Sequence, residues 1–278
     1  MYNFHSHTNF CDGSAEPEEY IIEAIKQGFI TYGFSGHCPI PIPNDFALTQ
    51  ETIPIYCKEI ERLKEKYKGK VNILLGLEAD YIPGLTTPFD SFRNQFKLDY
   101  IIGSVHVVKN TAGDTWFIDG PVRQTYDDGL KLFFNNDIKN AVTAFYHQTN
   151  QMLETEHFEI IGHFDKITMY NQNRFFITSE PWYRKLVMET IALIKEKDVV
   201  VEINSRGLYK KRSSDFFPET FILKHLHDSK IPVMINSDAH APHEISLLHH
   251  EAITALKNAG YKERTIIDEK GIKMIKMG

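Results

Sequence analysis

The strongest constraint on this chain is where its apolar runs stop. Seven short hydrophobic segments alternate with amphipathic stretches, and six of them finish within a residue or two of His5, His37, Glu78, His106, His163 or Asp238. The other segment, residues 199–203, finishes at Asn204 and Arg206. Such alternation is the pattern of serial βα units. In a βα barrel the loops that follow the strands share one rim, so residues distant in sequence converge there. An open doubly wound sheet also gathers ligands at strand ends, but no G-x-G-x-x-G follows a strand here. The barrel is favoured.

In detail, the spacing predicts a first strand at Tyr2-Asn3-Phe4. A helix follows, starting at 14–16 with Pro17 in its first turn and closed by Gly28. Further strands are expected at 30–35, 71–77, 98–105, 158–162, 199–203 and 232–237, with a short terminal one at 272–275. Helices are expected over 51–66, with Ile55, Ile60 and Leu63 inward, and over 125–156 with a break at Asn135 and Asn136. Others fall at 180–197, 218–229 and 244–259, while 107–123 reads as a long polar loop.

Imidazoles and carboxylates at successive strand ends are metal-ligand chemistry. His5 and His7 lie two residues apart, so on an extended strand both rings face the same way; Asp238 and His240 repeat that spacing. Any one of His37, Glu78, His106 or His163 would read as an ordinary hydrogen-bonded side chain. The whole set at six strand ends does not arise readily by chance. Asp12, before Gly13, adds a ninth candidate, although a carboxylate there is also ordinary turn chemistry. Nine candidates exceed the four needed by one tetrahedral ion, which points to two or three divalent metals. Mixed nitrogen and oxygen donors suit Zn, Fe or Mn. Cys11 and Cys38 adjoin candidate ligands but read first as small apolar fillers. His147, His157, His225, His227, His249 and His250 fall in helical or flanking segments and read as structural or surface groups; His243 is ambiguous.

Bulk properties narrow the partners. A net charge of -6 and the lack of a Lys/Arg-rich block argue against nucleic acid as partner. No apolar run is long enough to span a membrane, and the first residues have no secretory pattern. Three cysteines make no even disulfide framework, so a cytoplasmic location is expected. Oligomeric state is not legible.

The segments His5-Ser6-His7 with Asp12, Phe34-Ser35-Gly36-His37, Gly76-Leu77-Glu78-Ala79-Asp80, Gly103-Ser104-Val105-His106, Gly162-His163-Phe164-Asp165, Glu202-Ile203-Asn204-Ser205-Arg206-Gly207 and Ser237-Asp238-Ala239-His240 run in order along almost the whole chain. Together they resemble the polymerase and histidinol phosphatase (PHP) superfamily, and within it the histidinol-phosphatase branch. The resemblance implies one PHP-type domain over residues 1–278, a distorted (β/α)7 TIM-like barrel with a three-metal site at the C-terminal ends of its strands. It implies hydrolysis of L-histidinol phosphate to L-histidinol and phosphate, a step of histidine biosynthesis. It also implies a grouping of ligands: His5, His7, Glu78 and Asp238 for one metal; Glu78, His106 and His163 for a second; Asp12, His37 and His240 for a third.

Metals can lower the pKa of a water to supply hydroxide and can neutralise a phosphomonoester. Arg206 is the first candidate for a phosphate clamp, with Arg174 and Lys166 as weaker ones. Asp238, Arg206 and His240 are the catalytic candidates. Asp80, Tyr81 and Phe117 are candidates for holding the substrate amine. The rival readings are a PHP-type phosphodiesterase, exonuclease or nucleotide phosphatase, a metal-binding regulatory module without turnover, and an unrelated amidohydrolase-like barrel.

Overall fold

A computed structural model describes residues 1–277. Seven parallel strands form one sheet: β1 (Tyr2–Asn3), β2 (Thr31–His37), β3 (Asn72–Asp80), β4 (Tyr100–Ser104), then, after a small hairpin of β5 (Val107–Lys109) and β6 (Thr115–Phe117), β7 (Ile160–Ile161), β8 (Val200–Asn204) and β9 (Val233–Asn236). The spatial order is β1-β2-β3-β4-β7-β8-β9, and every pairing is parallel. The sheet curls into a nearly closed barrel. Its seam lies between the first and last strands, where Ser6 bridges Ala239 and the His7 N–H donates to the Ala239 carbonyl at 2.8 Å. Below that bridge side-chain amides replace the backbone ladder. The Phe4 N–H donates to Asn236 Oδ1, and the Ser237 N–H to Asn3 Oδ1, each at 2.8 Å.

Helices α1 (Pro17–Lys26), α2 (Ile53–Lys66), α3 (Phe89–Phe96), α4 (Arg123–Phe134), α5 (Ile138–Thr155), α6 (Pro181–Lys197), α7 (Arg206–Tyr209), α8 (Thr220–Asp228) and α9 (His249–Ala259) fill the connections. Local chemistry explains their ends. Glu16 and Glu19 form a reciprocal capping box at the start of α1, and Gly28, at φ +73°, lets the chain turn away after it. Asn135 and Asn136, both at positive φ, make the expected break between α4 and α5.

Strand residues alternate between two cores. Leu75, Ile101 and Val201 face the helices, whereas Leu74, Tyr100, Ile102, Val200 and Met234 fill the barrel with Phe4 and Ile160. Ile266 and Ile267, from the terminal hairpin β10 (Glu263–Asp268) and β11 (Gly271–Lys276), join this inner cluster. Tyr100 sits at its centre, its hydroxyl donating to the carbonyls of Phe4 (2.6 Å) and Phe34 (2.9 Å). Only glycine leaves room for it: a Cβ on Gly76 would lie 2.4 Å from the ring, and one on Gly33 2.4 Å from the hydroxyl. Gly76→Ala is expected to destabilise the fold by about 2 kcal/mol, read as a lower denaturant midpoint at unchanged slope. An unchanged midpoint would show that the ring can move aside.

Four expectations change. Ile55 is 57% exposed; the inward face of α2 is Ile53, Tyr56, Ile60 and Leu63, a helical series that skips it. Residues 107–123 are not a plain loop but carry β5 and β6, whose Trp116 is buried against Tyr126 with ring centroids 4.7 Å apart. The C-terminal strand is one half of a hairpin, turned at Gly271 with φ +103°. The last helix starts five residues later than expected, at His249, because Leu248 adopts a left-handed conformation and 242–244 is a separate 3-10 turn.

Candidate metal centre

The inward alternation that builds the barrel core also builds the site. On β3 it runs Leu74, Gly76, Glu78, Asp80; from β4 it runs Tyr100, Ile102, Ser104, His106; on β8 it runs Val200, Glu202, Asn204; from β9 it runs Met234, Asn236, Asp238. Each series starts apolar at the barrel floor and becomes polar towards the rim.

Glu78 is the hub. Its Oε2 lies 3.0 Å from His5 Nε2, and 3.3 Å from both His7 Nε2 and His37 Nδ1. Its Oε1 lies 2.9 Å from His163 Nε2 and 3.6 Å from His106 Nε2, and accepts from Ser104 Oγ at 2.6 Å. Asp238 Oδ1 stands 3.4 to 3.7 Å from His7, His240 and His5. Its backbone is left-handed, at φ +53°, a conformation costly for a residue with a Cβ and concentrated at functional sites. Asp12 faces His240 Nε2 at 3.0 Å and His7 Nδ1 at 3.5 Å.

All nine sequence candidates are therefore brought to one rim. Four groups of them, together with Asp80, offer one ligand atom each with all atoms within 4.8 Å: His7, Asp12, His37 and His240; His5, His7 and Asp238; His5, Glu78 and His163; His37, Asp80 and His106. His5, His7 and His37 thus belong to two groups each, and Glu78 Oε2 lies within 3.3 Å of all three rings.

The donor set fits divalent metals on two observations. His7 Nε2 and His37 Nδ1 are buried, lack any hydrogen-bond partner, and both face Glu78 Oε2. The acids around them also demand positive charge. Burial disfavours a charged His5 ring, yet the Glu202, Glu78 and Asp238 carboxylates push it up to about 10. Burial likewise opposes charge on His37, and Glu78 leads the groups that push it up to about 9.

A second ring of side chains aims the first. His5 Nδ1 donates to Glu202 Oε1 at 2.6 Å, which turns Nε2 toward Glu78. Asn236 and Asn204 donate to the same carboxylate at 3.0 Å, and the His163 N–H donates at 3.1 Å. His106 Nδ1 donates to Asp80 Oδ1 at 2.7 Å. Sequence reasoning gave Glu202 no role and offered Asp80 to a substrate amine. Asp80 is instead buried beneath His106 and His37. Tyr81 is also misplaced: it is buried on the helix side, within reach of Thr155. The signal for both acids was the alternation by two that turns Asp80 inward after Glu78 and Glu202 inward before Asn204. Glu202→Gln is expected to weaken metal retention by about 10- to 100-fold with the fold intact, measured by chelator competition. Unchanged retention would remove the aiming role.

The phosphate candidates separate. Lys166 is buried and bonds Asp119 Oδ2 at 2.6 Å; burial disfavours its charge, but Asp119, Asp238 and Glu78 together keep its pKa raised. Arg206 donates to the Asp238 carbonyl at 3.1 Å and lines a cavity of about 530 Å³ with His37, His106, Phe117 and His240. Arg174 is not brought there: its guanidinium is paired with Asp127 and packs on Phe175. His243 lines the cavity; Cys11 Sγ is 3.7 Å from His7 Nδ1.

The PHP domain family model matches residues 3–206. The chain belongs to the PHP domain family. Curated relatives of this PHP protein include the probable histidinol-phosphatase of Schizosaccharomyces pombe, 29% identical over 96% of this chain and 89% of that protein. The histidinol-phosphatase of Bacillus subtilis is 26% identical over 85% of this chain and 92% of its own length. Among solved structures, the histidinol phosphate phosphatase of Lactococcus lactis, complexed with zinc, L-histidinol and phosphate, aligns with a TM-score of 0.69 at 22% identity over 98% of each chain. The barrel is thus the fold of this family. No helix among the described residues is long and apolar enough to cross a membrane.

Proposed function

We propose that this PHP protein hydrolyses a small phosphomonoester, and that the ester is L-histidinol phosphate. One observation carries the reading: Arg206 and the metal-type histidines His37, His106 and His240 line one cavity, with Lys166 beside its Asp119 wall. The near full-length relatives named histidinol-phosphatase support the choice of ester, as do the zinc, histidinol and phosphate held by the Lactococcus protein.

His5, His7, Glu78 and Asp238 would hold one divalent ion, Glu78, His106 and His163 a second, and Asp12, His37 and His240 a third. When bound, such ions lower the pKa of water and neutralise phosphate oxygens. The chain's own residues do the rest. Lys166 and Arg206 hold the non-bridging oxygens and fix the ester in line. Asp238 is buried, which favours its neutral form, but His5, His7 and Arg206 hold its carboxyl well below the usual range. It is ionised at neutral pH, the form that would hold a divalent ion, and is too weak a base to take the proton of the attacking water. His240, drawn down to about 4 mainly by burial and then by His7, stays neutral and presents Nε2 to Asp12.

The test compares turnover of histidinol phosphate, a nucleotide monophosphate and a dinucleotide, with and without chelator. Histidinol phosphate should be preferred by at least about 100-fold, and chelation should abolish activity. Preference for the dinucleotide would replace this reading with a phosphodiesterase; activity that survives complete metal removal would overturn the metal mechanism.

A further inference from the structure

Arg206 is held at one corner only. Its Nη1 faces three oxygens: the Asp238 carbonyl at 3.1 Å, the Tyr209 hydroxyl at 3.5 Å and Glu244 Oε2 at 3.6 Å. No hydrogen bond among the described residues uses its Nε or Nη2, and the side chain lines the cavity with Lys210, His240 and Glu244. The acid that closes this corner is itself fixed from two directions. Glu244 ends the 3-10 turn after β9 and is buried. Its Oε2 accepts the His240 N–H at 2.9 Å and lies 3.4 Å from the Tyr209 hydroxyl, while Lys210 pairs with Oε1. Tyr209 and Lys210 belong to the segment that carries Arg206, so Glu244 ties the loop after β8 to the loop after β9. Ser205 Oγ donates to the Leu247 carbonyl at 2.8 Å, a second tie between the same two loops.

Two roles are open to a carboxylate among these cations. As a neutralising charge it would compete with an incoming anion, and its removal would tighten phosphate binding. As a brace it would fix the guanidinium, and its removal would weaken phosphate binding. The geometry favours the brace. Glu244 spends its oxygens on Lys210 and the His240 N–H, and it meets Arg206 only at the nitrogen that the Asp238 carbonyl already holds. The other two guanidinium nitrogens stay free for a ligand. We propose that Glu244 is a positioning residue that fixes Arg206 for a phosphate group. The proposal rests on the phosphomonoesterase reading for what Arg206 binds, and adds why the guanidinium is in place beforehand. A long side chain already held by its neighbours gives up less rotamer freedom when it binds.

The metal-loaded protein, its Glu244→Gln and Arg206→Ala variants and the double variant are titrated with inorganic phosphate by calorimetry and assayed with L-histidinol phosphate, with metal content measured alongside. Glu244→Gln should weaken phosphate binding about tenfold and raise KM by a similar factor, while metal content and Tm stay close to the natural values. In the Arg206→Ala background the same change should have no further effect on phosphate, because a brace acts only through what it holds. Tighter phosphate binding in Glu244→Gln, equal losses in both backgrounds, or loss of metal together with phosphate overturns the proposal. Tyr209→Phe removes the hydroxyl shared by Glu244 and Arg206 and takes the place of the Gln variant if that one does not fold. It should weaken phosphate about threefold, and an unchanged affinity would then overturn the brace. If phosphate binding depends on Glu244 through Arg206 but no ester is hydrolysed, the brace stands and the phosphomonoesterase reading falls. If esters are hydrolysed while phosphate affinity ignores Glu244, the brace falls and that reading stands. If no phosphate binds, the brace falls.

Discussion

Replacing Glu78 with Gln should cost this PHP protein at least about a thousandfold in kcat/KM and most of its bound metal, the largest effect expected of any single substitution. The argument is geometric. Both oxygens of Glu78 lie among ring nitrogens: His5, His7 and His37 on one side, His163 and His106 on the other. An amide of the same shape keeps the packing but removes a negative charge and turns one acceptor into a donor pointed at imidazoles. The fold itself should persist, because the apolar clusters below and outside the site are untouched. Two readouts separate loss of metal from loss of structure. Metal analysis of the purified variant should show depletion. The Tm of the natural protein should fall when chelator is added, since an ion that binds only the folded chain stabilises it by mass action, whereas the variant's Tm should not respond. A variant that retains full metal content and activity would remove Glu78 from the centre of the site.

The convergence of the candidate ligands was readable because a parallel barrel converts a one-dimensional signal, the residue at which an apolar run stops, into a three-dimensional one. His37, Glu78, His106, His163 and Asp238 needed no knowledge of contacts. The residues that aim them were less visible, although the same period of two contains them: Glu202 and Ser104 sit two positions before Asn204 and His106. They look like ordinary strand polar residues until the barrel closes over them. Arg174 failed for the opposite reason. Nothing in its neighbourhood in sequence reveals that Asp127, on α4, would claim it. Ile55 shows the limit of counting apolar residues on a helix, since a register error of one or two positions moves a side chain from core to solvent. The β5–β6 hairpin was hidden by the brevity of its strands. Its turn residues, Asn110 to Asp114, were the available signal. Asp119, which follows it and meets Lys166, had no signal at all.

Lys166 is where the second large effect is expected. A lysine ammonium buried in a barrel rim persists as a charge only when acids surround it, and here Asp119 bonds it while Asp238 and Glu78 contribute at longer range. The same rim carries Arg206, whose guanidinium is tethered to the Asp238 carbonyl and so is held in place before any ligand arrives. Two oriented cations beside a cluster of candidate metal ligands would serve as the anion position that the proposed phosphatase reading requires. Lys166→Met keeps the length of the side chain and removes its charge. It should lower kcat/KM about 100-fold and weaken inhibition by inorganic phosphate, while metal content stays at the natural level. Arg206→Ala should act in the same direction, and the double variant should fall short of the product of the two because both serve one phosphate. The metal readout makes the prediction specific: loss of metal together with activity would mean that Lys166 balances the charge of the acid cluster and does not bind phosphate. Unchanged phosphate inhibition would exclude it from the anion position, and Arg206 alone would then have to orient the ester.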